Sequence, residues 1–126
     1  MKEEYPELYQ HLQKLSTKLA KDLRGPMSAF AQLNAAASAP GALDAKIKQL
    51  IALGIGISAH CDGCIAYHVH DAIRAGASRQ EILETIGIAI LMGGGPAVVY
   101  ACQAMEAMDQ FASSGLTPAL SDIHKK

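Results

Sequence analysis

Apolar residues recur every three or four positions along most of the chain, the spacing that gives a helix one apolar face. The first segment sets Leu8, Leu12, Leu15 and Leu19 on one stripe, with Lys and Gln elsewhere, and Pro6 suits its first turn. A short second segment follows Arg24-Gly25-Pro26 and carries Phe30 and Leu33. The third starts at Asp44, a good N-cap, and runs through Ile47, Leu50, Ile51, Ile55 and Ile57. Its later half, Leu50 to Ile57, is uncharged on every side, which predicts a central helix. Gly54 and Gly56 lower helix propensity there, and so predict that another helix or a ligand comes close.

The fourth segment begins near Cys61-Asp62, turns Ile65, Val69, Ala72 and Ile73 to one side, and is capped by Gly76. Ser78-Arg79-Gln80-Glu81 fits a capping box and opens a fifth helix through Ile82, Leu83, Ile86 and Ile90. Gly93-Gly94-Gly95 breaks it and Pro96 starts a sixth, in which Val99, Cys102, Met105 and Met108 fall in register as a core stripe that ends at Gly115. The tail from Leu116 is expected to be loosely held. Ile86-Gly87-Ile88-Ala89-Ile90 alternates like a strand, but it sits downstream of a capping box and has no partner strand, so it reads as helix. The expectation is an all-α fold of about six helices.

With 126 residues, one domain spanning 1–126 is expected. Half the residues are hydrophobic, yet only four Tyr and two Phe are aromatic, so the apolar content is mainly Ala, Ile, Leu and Val. That leaves a short chain more apolar surface than it hides alone, which predicts a homo-oligomer. The formal net charge of −1 and the scattered Lys and Arg argue against a nucleic-acid partner. The charged start, Met1 to Pro6, does not read as a signal peptide. The best membrane candidate, Ile86 to Cys102, is interrupted by Gly87, Gly93, Gly94, Gly95 and Pro96, so no membrane span is expected and a cytoplasmic protein is the natural reading. Three cysteines, an odd number, argue against a structural disulfide framework in a reducing compartment.

The spacing of the first two cysteines therefore carries the chemistry. In Cys61-Asp62-Gly63-Cys64-Ile65-Ala66-Tyr67-His68 the two thiols share one side of a helical turn and can form a disulfide. Unpaired N–H groups and the helix dipole at a helix start favour a thiolate. His68 lies one turn beyond Cys64 and can accept its proton, directly or through a water. The pattern predicts a cycle in which Cys64 is oxidised to a sulfenic acid, Cys61 condenses with it, and a dithiol partner restores the pair. Zinc is the rival reading, but it wants four ligands and the chain supplies one cysteine pair and His68. No metal or cofactor is called for. Tyr67 and His70 are candidates for the site mouth, Asp62 for a capping residue, and Cys102 for a core thiol. Gly93-Gly94-Gly95-Pro96 lacks the Lys-Ser/Thr and preceding strand of a phosphate loop.

The stretch from Leu43-Asp44-Ala45-Lys46 through Leu50-Ile51-Ala52-Leu53, the CxxCxxxH motif of Cys61, Cys64 and His68, Ala75-Gly76-Ala77-Ser78 and Met92-Gly93-Gly94-Gly95-Pro96-Ala97 together resemble the AhpD-like branch of the carboxymuconolactone decarboxylase family, over about residues 27–112. The resemblance implies an AhpD-like helical fold, usually a homo-trimer or homo-hexamer. It also implies hydroperoxide reductase or thiol–disulfide activity, with Cys64 reactive towards peroxide, Cys61 its partner and His68 in a proton relay. A small hydroperoxide would be the substrate and a thiol or lipoyl-bearing protein the reductant. The family relay includes a Glu where this chain has Gln49, and Gln takes up no proton at neutral pH. Either the relay is shortened, or Glu84 or Glu81 of this subunit or a neighbour substitutes. The decarboxylases of the family do not rely on a CxxC pair. A decarboxylase-like enzyme and a non-enzymatic redox-sensing or metal-binding protein remain the alternative readings.

Overall fold

The computed structural model describes residues 3–120. Six helices follow one another: α1 Tyr5–Asp22, α2 Arg24–Ser38, α3 Ala45–Ser58, α4 Asp62–Arg74, α5 Arg79–Gly93 and α6 Gly95–Ser113. Among the described residues the β structure is limited to an isolated bridge between Ser78 and Ala119. The all-α expectation and the number of helices hold. No helix among the described residues is long and apolar enough to cross a membrane.

α3 is the central helix, as its uncharged half predicts, and packs against α4, α5 and α6. Leu53 and Ile57 of α3, Ile65 and Val69 of α4, Ile82 of α5 and Met108 of α6 are fully enclosed. Most of the predicted caps form. Asp44 accepts the Ile47 N–H at 2.8 Å. The Ser78 hydroxyl accepts the Glu81 N–H at 3.0 Å while the Glu81 carboxylate accepts the Ser78 N–H at 2.9 Å, the reciprocal box expected from the sequence. Gly76 follows α4 at φ +98°, a conformation that a Cβ would strain.

Four expectations change. α2 is not short: it starts at Arg24, separated from the end of α1 at Asp22 by Leu23 alone, and runs for 15 residues, because Pro26 lies in its first turn, where a missing N–H costs no helical bond. In α1, Leu8 packs on the core, but Leu15 and Leu19 are about half exposed, so the second half of the stripe is left uncovered. α6 is rotated relative to the expected stripe. Its enclosed residues are Ala97, Ala101, Ala104, Ala107, Met108 and Phe111, whereas Cys102, Val99 and Met105 face outward. Alanines let α6 lie close to its neighbours, and closeness rather than side-chain size chose the buried face. Finally, residues 116–120 are tied down rather than loose, since Leu116 packs on the core and the Ala119 N–H bonds the Ala77 carbonyl at 2.9 Å. The rest of the tail, from Ser121 on, and the first two residues of the charged start lie outside the described residues.

Candidate active site

The site forms where α3 hands over to α4. The Ala59 N–H closes α3 on the Ile55 carbonyl, and the Cys61 N–H returns to the Gly56 carbonyl at 3.1 Å. Between them His60 takes φ 58°, the left-handed region that His visits more readily than most residues. Its ring lies parallel to that of Tyr100 on α6, with centroids 4.6 Å apart. This stack holds the reversal that delivers Cys61 to the start of α4.

Cys61 is the N-cap of α4, and its Sγ accepts the Cys64 N–H at 3.1 Å. The two cysteines are joined as a disulfide with Cα atoms 5.2 Å apart, within the usual 4.4–6.8 Å range. Two glycines make room for the pair. A Cβ on Gly56 would sit 3.0 Å from the Cys64 Cβ, so this glycine lets the first turn of α4 rest on α3. A Cβ on Gly63 would meet the Leu12 side chain of α1 at 3.0 Å. The prediction that the α3 glycines mark a close approach is met at Gly56. At Gly54 the neighbour is the Thr85 side chain at an ordinary 3.7 Å.

His68 follows Cys64 by one turn on α4 and is half-buried. Its Nδ1 is hydrogen-bonded to the Gln49 side-chain oxygen of α3 at 2.9 Å. When the carbonyl of Gln49 accepts from Nδ1–H, the other ring nitrogen, Nε2, is left as the basic atom. Burial lowers the His68 pKa below the ordinary 6.5, and the nearby Asp71 carboxylate opposes this only in part. The imidazole is therefore neutral at pH 7, the form required of a proton acceptor.

Of the supporting candidates, Gln49 touches the site directly. Tyr67 meets Tyr9 of α1 edge-on at 5.1 Å, and His70 stacks on the same Tyr9 ring at 3.9 Å while bonding Asp71. Glu84 is exposed on α5 and accepts from Gln80 at 3.1 Å, whereas Glu81 serves its capping box and pairs with Lys46 at 2.8 Å. Among the described residues no three His, Cys, Asp or Glu side chains form a set able to hold a metal ion.

α1 supplies neighbours that local sequence pattern does not reveal. Tyr5 is 2 % exposed, and its hydroxyl lies 3.2 Å from both Asp62 Oδ1, beside Cys61, and Gln103 Oε1 of α6. Its backbone N–H donates to Gln110 Oε1 at 2.7 Å. Burial, then the Asp62 charge, pushes the Tyr5 phenol well above its usual range, so it stays a neutral donor. The only sequence signal for Tyr5 is a tyrosine just before the helix-starting Pro6.

Comparison with known proteins places these features in context. Residues 26–107 match the sequence model of the carboxymuconolactone decarboxylase family. An uncharacterized protein of Cupriavidus necator is 40 % identical over 83 residues, covering 66 % of this chain and 74 % of its own length. An uncharacterized protein in the cox locus of Paracoccus denitrificans is 39 % identical over 82 residues, covering 65 % and 74 %. The crystal structure of a carboxymuconolactone decarboxylase family protein from Legionella pneumophila superposes with a TM-score of 0.83 at 37 % identity, over 86 % of this chain and 96 % of that one. A family member from Thermotoga maritima gives 0.71 at 30 % identity, over 90 % and 99 %.

Proposed function

Since the chain belongs to the carboxymuconolactone decarboxylase family, we propose that it is a thiol-dependent oxidoreductase of the AhpD kind that reduces a small hydroperoxide and is recharged by a dithiol. The observation that carries this reading is the Cys61–Cys64 disulfide at the start of α4, one turn from a neutral imidazole. The Thermotoga maritima relative is a candidate for a role in the antioxidative response, which agrees with it.

In the reduced protein His68 takes the Cys64 proton. The Cys64 thiolate attacks the terminal peroxide oxygen, the O–O bond breaks, and the leaving alkoxide takes the proton held on His68, so that the products are an alcohol, a Cys64 sulfenic acid and a neutral imidazole. The Cys61 thiol then displaces water from that sulfur, giving the disulfide, so that two electrons have passed from the pair to the peroxide. A thiol or lipoyl-bearing protein returns them by exchange, leaving its own disulfide. Capping by the Cys64 N–H stabilises a thiolate on Cys61, which makes Cys61 the better leaving group in that exchange. Gln49 fixes the imidazole but cannot relay a proton, so the neutral His68 acts alone or through water.

The test is steady-state hydroperoxide consumption with small dithiols and with dihydrolipoyl carriers. The wild type should turn over and Cys64→Ser should be inactive. Cys61→Ser should accumulate a Cys64 sulfenic acid visible by mass. Turnover retained in Cys64→Ser defeats the proposal, as does decarboxylation of a carboxylactone that survives thiol alkylation.

A further inference from the structure

α1 crosses the start of α4 and touches both residues that separate the two cysteines. Leu12 lies against Gly63, where a Cβ would be 3.0 Å from the leucine side chain. Earlier on the same helix the Tyr5 hydroxyl reaches Asp62, 3.2 Å from Oδ1. Tyr5 is buried, and its backbone N–H is held by the Gln110 side chain at 2.7 Å. The Gln103 side chain of α6 lies 3.2 Å from the same hydroxyl. A phenol has one proton to give, and a carboxylate is the stronger acceptor for it. Burial, then the Asp62 charge, holds that proton on Tyr5.

Asp62 is an awkward neighbour for a working thiolate. It follows Cys61 directly, at the first position of α4. A carboxylate there suits the helix dipole, but as a like charge it disfavours ionisation of Cys61. It thus works against the Cys64 N–H, which caps the Cys61 sulfur. We propose that Tyr5 is a positioning residue of the redox site: its hydroxyl holds the Asp62 carboxylate towards α1 and α6 and offsets part of its charge, and so keeps Cys61 an easily ionised leaving thiol. The inference deepens the proposed function and rests on its assignment of Cys61 as the leaving thiolate in the exchange.

Other titratable groups stand around this corner. α6 brings Tyr100 and Glu106, and the exposed Glu106 carboxylate is screened by water. The turn before Cys61 carries His60, stacked on Tyr100. α4 adds His68, neutral at pH 7, and the bonded pair His70 and Asp71. Tyr9 of α1 packs on Tyr67 and His70, beyond the first turn of α4. α3 meets Cys64 with Gly56 and His68 with Gln49, neither of which titrates. All of these stay in place when Tyr5 or Asp62 is replaced, so a difference between such variants isolates the Tyr5–Asp62 contact.

The test is a double-mutant cycle read on the thiol itself, in the full chain. With Cys64→Ser and Cys102→Ser in place, Cys61 is the remaining thiol, and its rate of alkylation by iodoacetamide against pH gives its ionisation midpoint. Tyr5→Phe, which keeps the ring, should raise that midpoint by about half a pH unit, and Asp62→Asn should lower it by about one. Added to Asp62→Asn, Tyr5→Phe should move it no further, because no charge is left to hold. A second readout uses Cys102→Ser with both redox cysteines present. There the protein disulfide and two glutathione molecules exchange to the dithiol and one glutathione disulfide. At a pH where Cys61 is ionised, Tyr5→Phe should shift this equilibrium about threefold towards the protein disulfide, the equivalent of half a pH unit. A tyrosine with only a structural role would lower unfolding stability in both backgrounds and leave the midpoint unmoved. An unmoved midpoint in Tyr5→Phe, or an equal shift with and without the Asp62 charge, overturns the proposal. So does an unlowered midpoint in Asp62→Asn, which leaves Tyr5 untouched. None of these readouts needs peroxide, so a wild type that reduces no peroxide defeats the proposed function while the midpoints still decide the role of Tyr5.

Discussion

Replacing Gln49 by Glu turns the amide nitrogen into a second carboxylate oxygen, keeps the oxygen that lies 2.9 Å from His68 Nδ1, and changes almost nothing in shape. In the wild type, burial disfavours the imidazolium and the pKa lies below 6.5. A carboxylate in the same place favours it. An opposite charge at this range moves a pKa by about 1–3 pH units, or about 1.4–4 kcal/mol. Coulomb's law at an effective dielectric of about 20 gives about 4 kcal/mol at 4 Å, the upper end of that range. Burial still opposes the charge, so the expected rise is in the lower half of that range. The assay is an NMR titration of the histidine rings from pH 5 to 8, with His68 identified by its absence in His68→Asn. Alongside it, peroxide turnover should rise roughly tenfold at pH 7, a modest share of the 10²–10⁴-fold that a positioned proton-transfer group supplies. An unmoved His68 titration in Gln49→Glu, or a wild-type His68 titrating above 6.5, refutes the reasoning.

The same depressed pKa fixes the sign of a stability effect. As pH falls through 6.5 the unfolded chain takes up a proton at His68 that the folded site resists, so stability is full above 6.5 and declines below it. Thermal melts between pH 8 and 5.5 should show this decline, and His68→Gln should weaken it; an equal decline in the variant assigns it elsewhere. Within α6, Met108→Ala should cost about 2–5 kcal/mol by denaturant unfolding, because the side chain is fully enclosed. Met105→Ala, three residues earlier on the same helix, should stay within about 0.5 kcal/mol. Equal losses would mean that the face of α6 is assigned wrongly.

Local rules reach far into this protein. The capping box at Ser78, the Asp44 cap, the glycine after α4 and the uncharged half of α3 are each determined within one or two helical turns, and each forms as the sequence predicts. The Cys61, Cys64 and His68 arrangement is equally local. Helix geometry alone puts these three residues within two turns, and the helix start supplies the cap on Cys61.

What required tertiary structure is whatever depends on distance between helices. Gln49 meets His68 across 19 residues and Tyr5 meets Asp62 across 57, contacts that no periodicity encodes. The buried face of α6 departs from its hydropathy stripe: hydropathy favours Met105 and Cys102, whereas the neighbouring helices lie close enough to admit only the alanines along most of that face. α1 and α2 show the converse: apolar stripes are legible, yet an apolar stripe records only that a surface avoids water, not which surface covers it. Sequence determined where each helix starts, stops and turns its apolar side, because those depend on neighbours within a few residues. Which side is buried, and which group sits beside the imidazole, were decided by the packing of helices distant in the chain, where shape and spacing outweigh the character of any single residue.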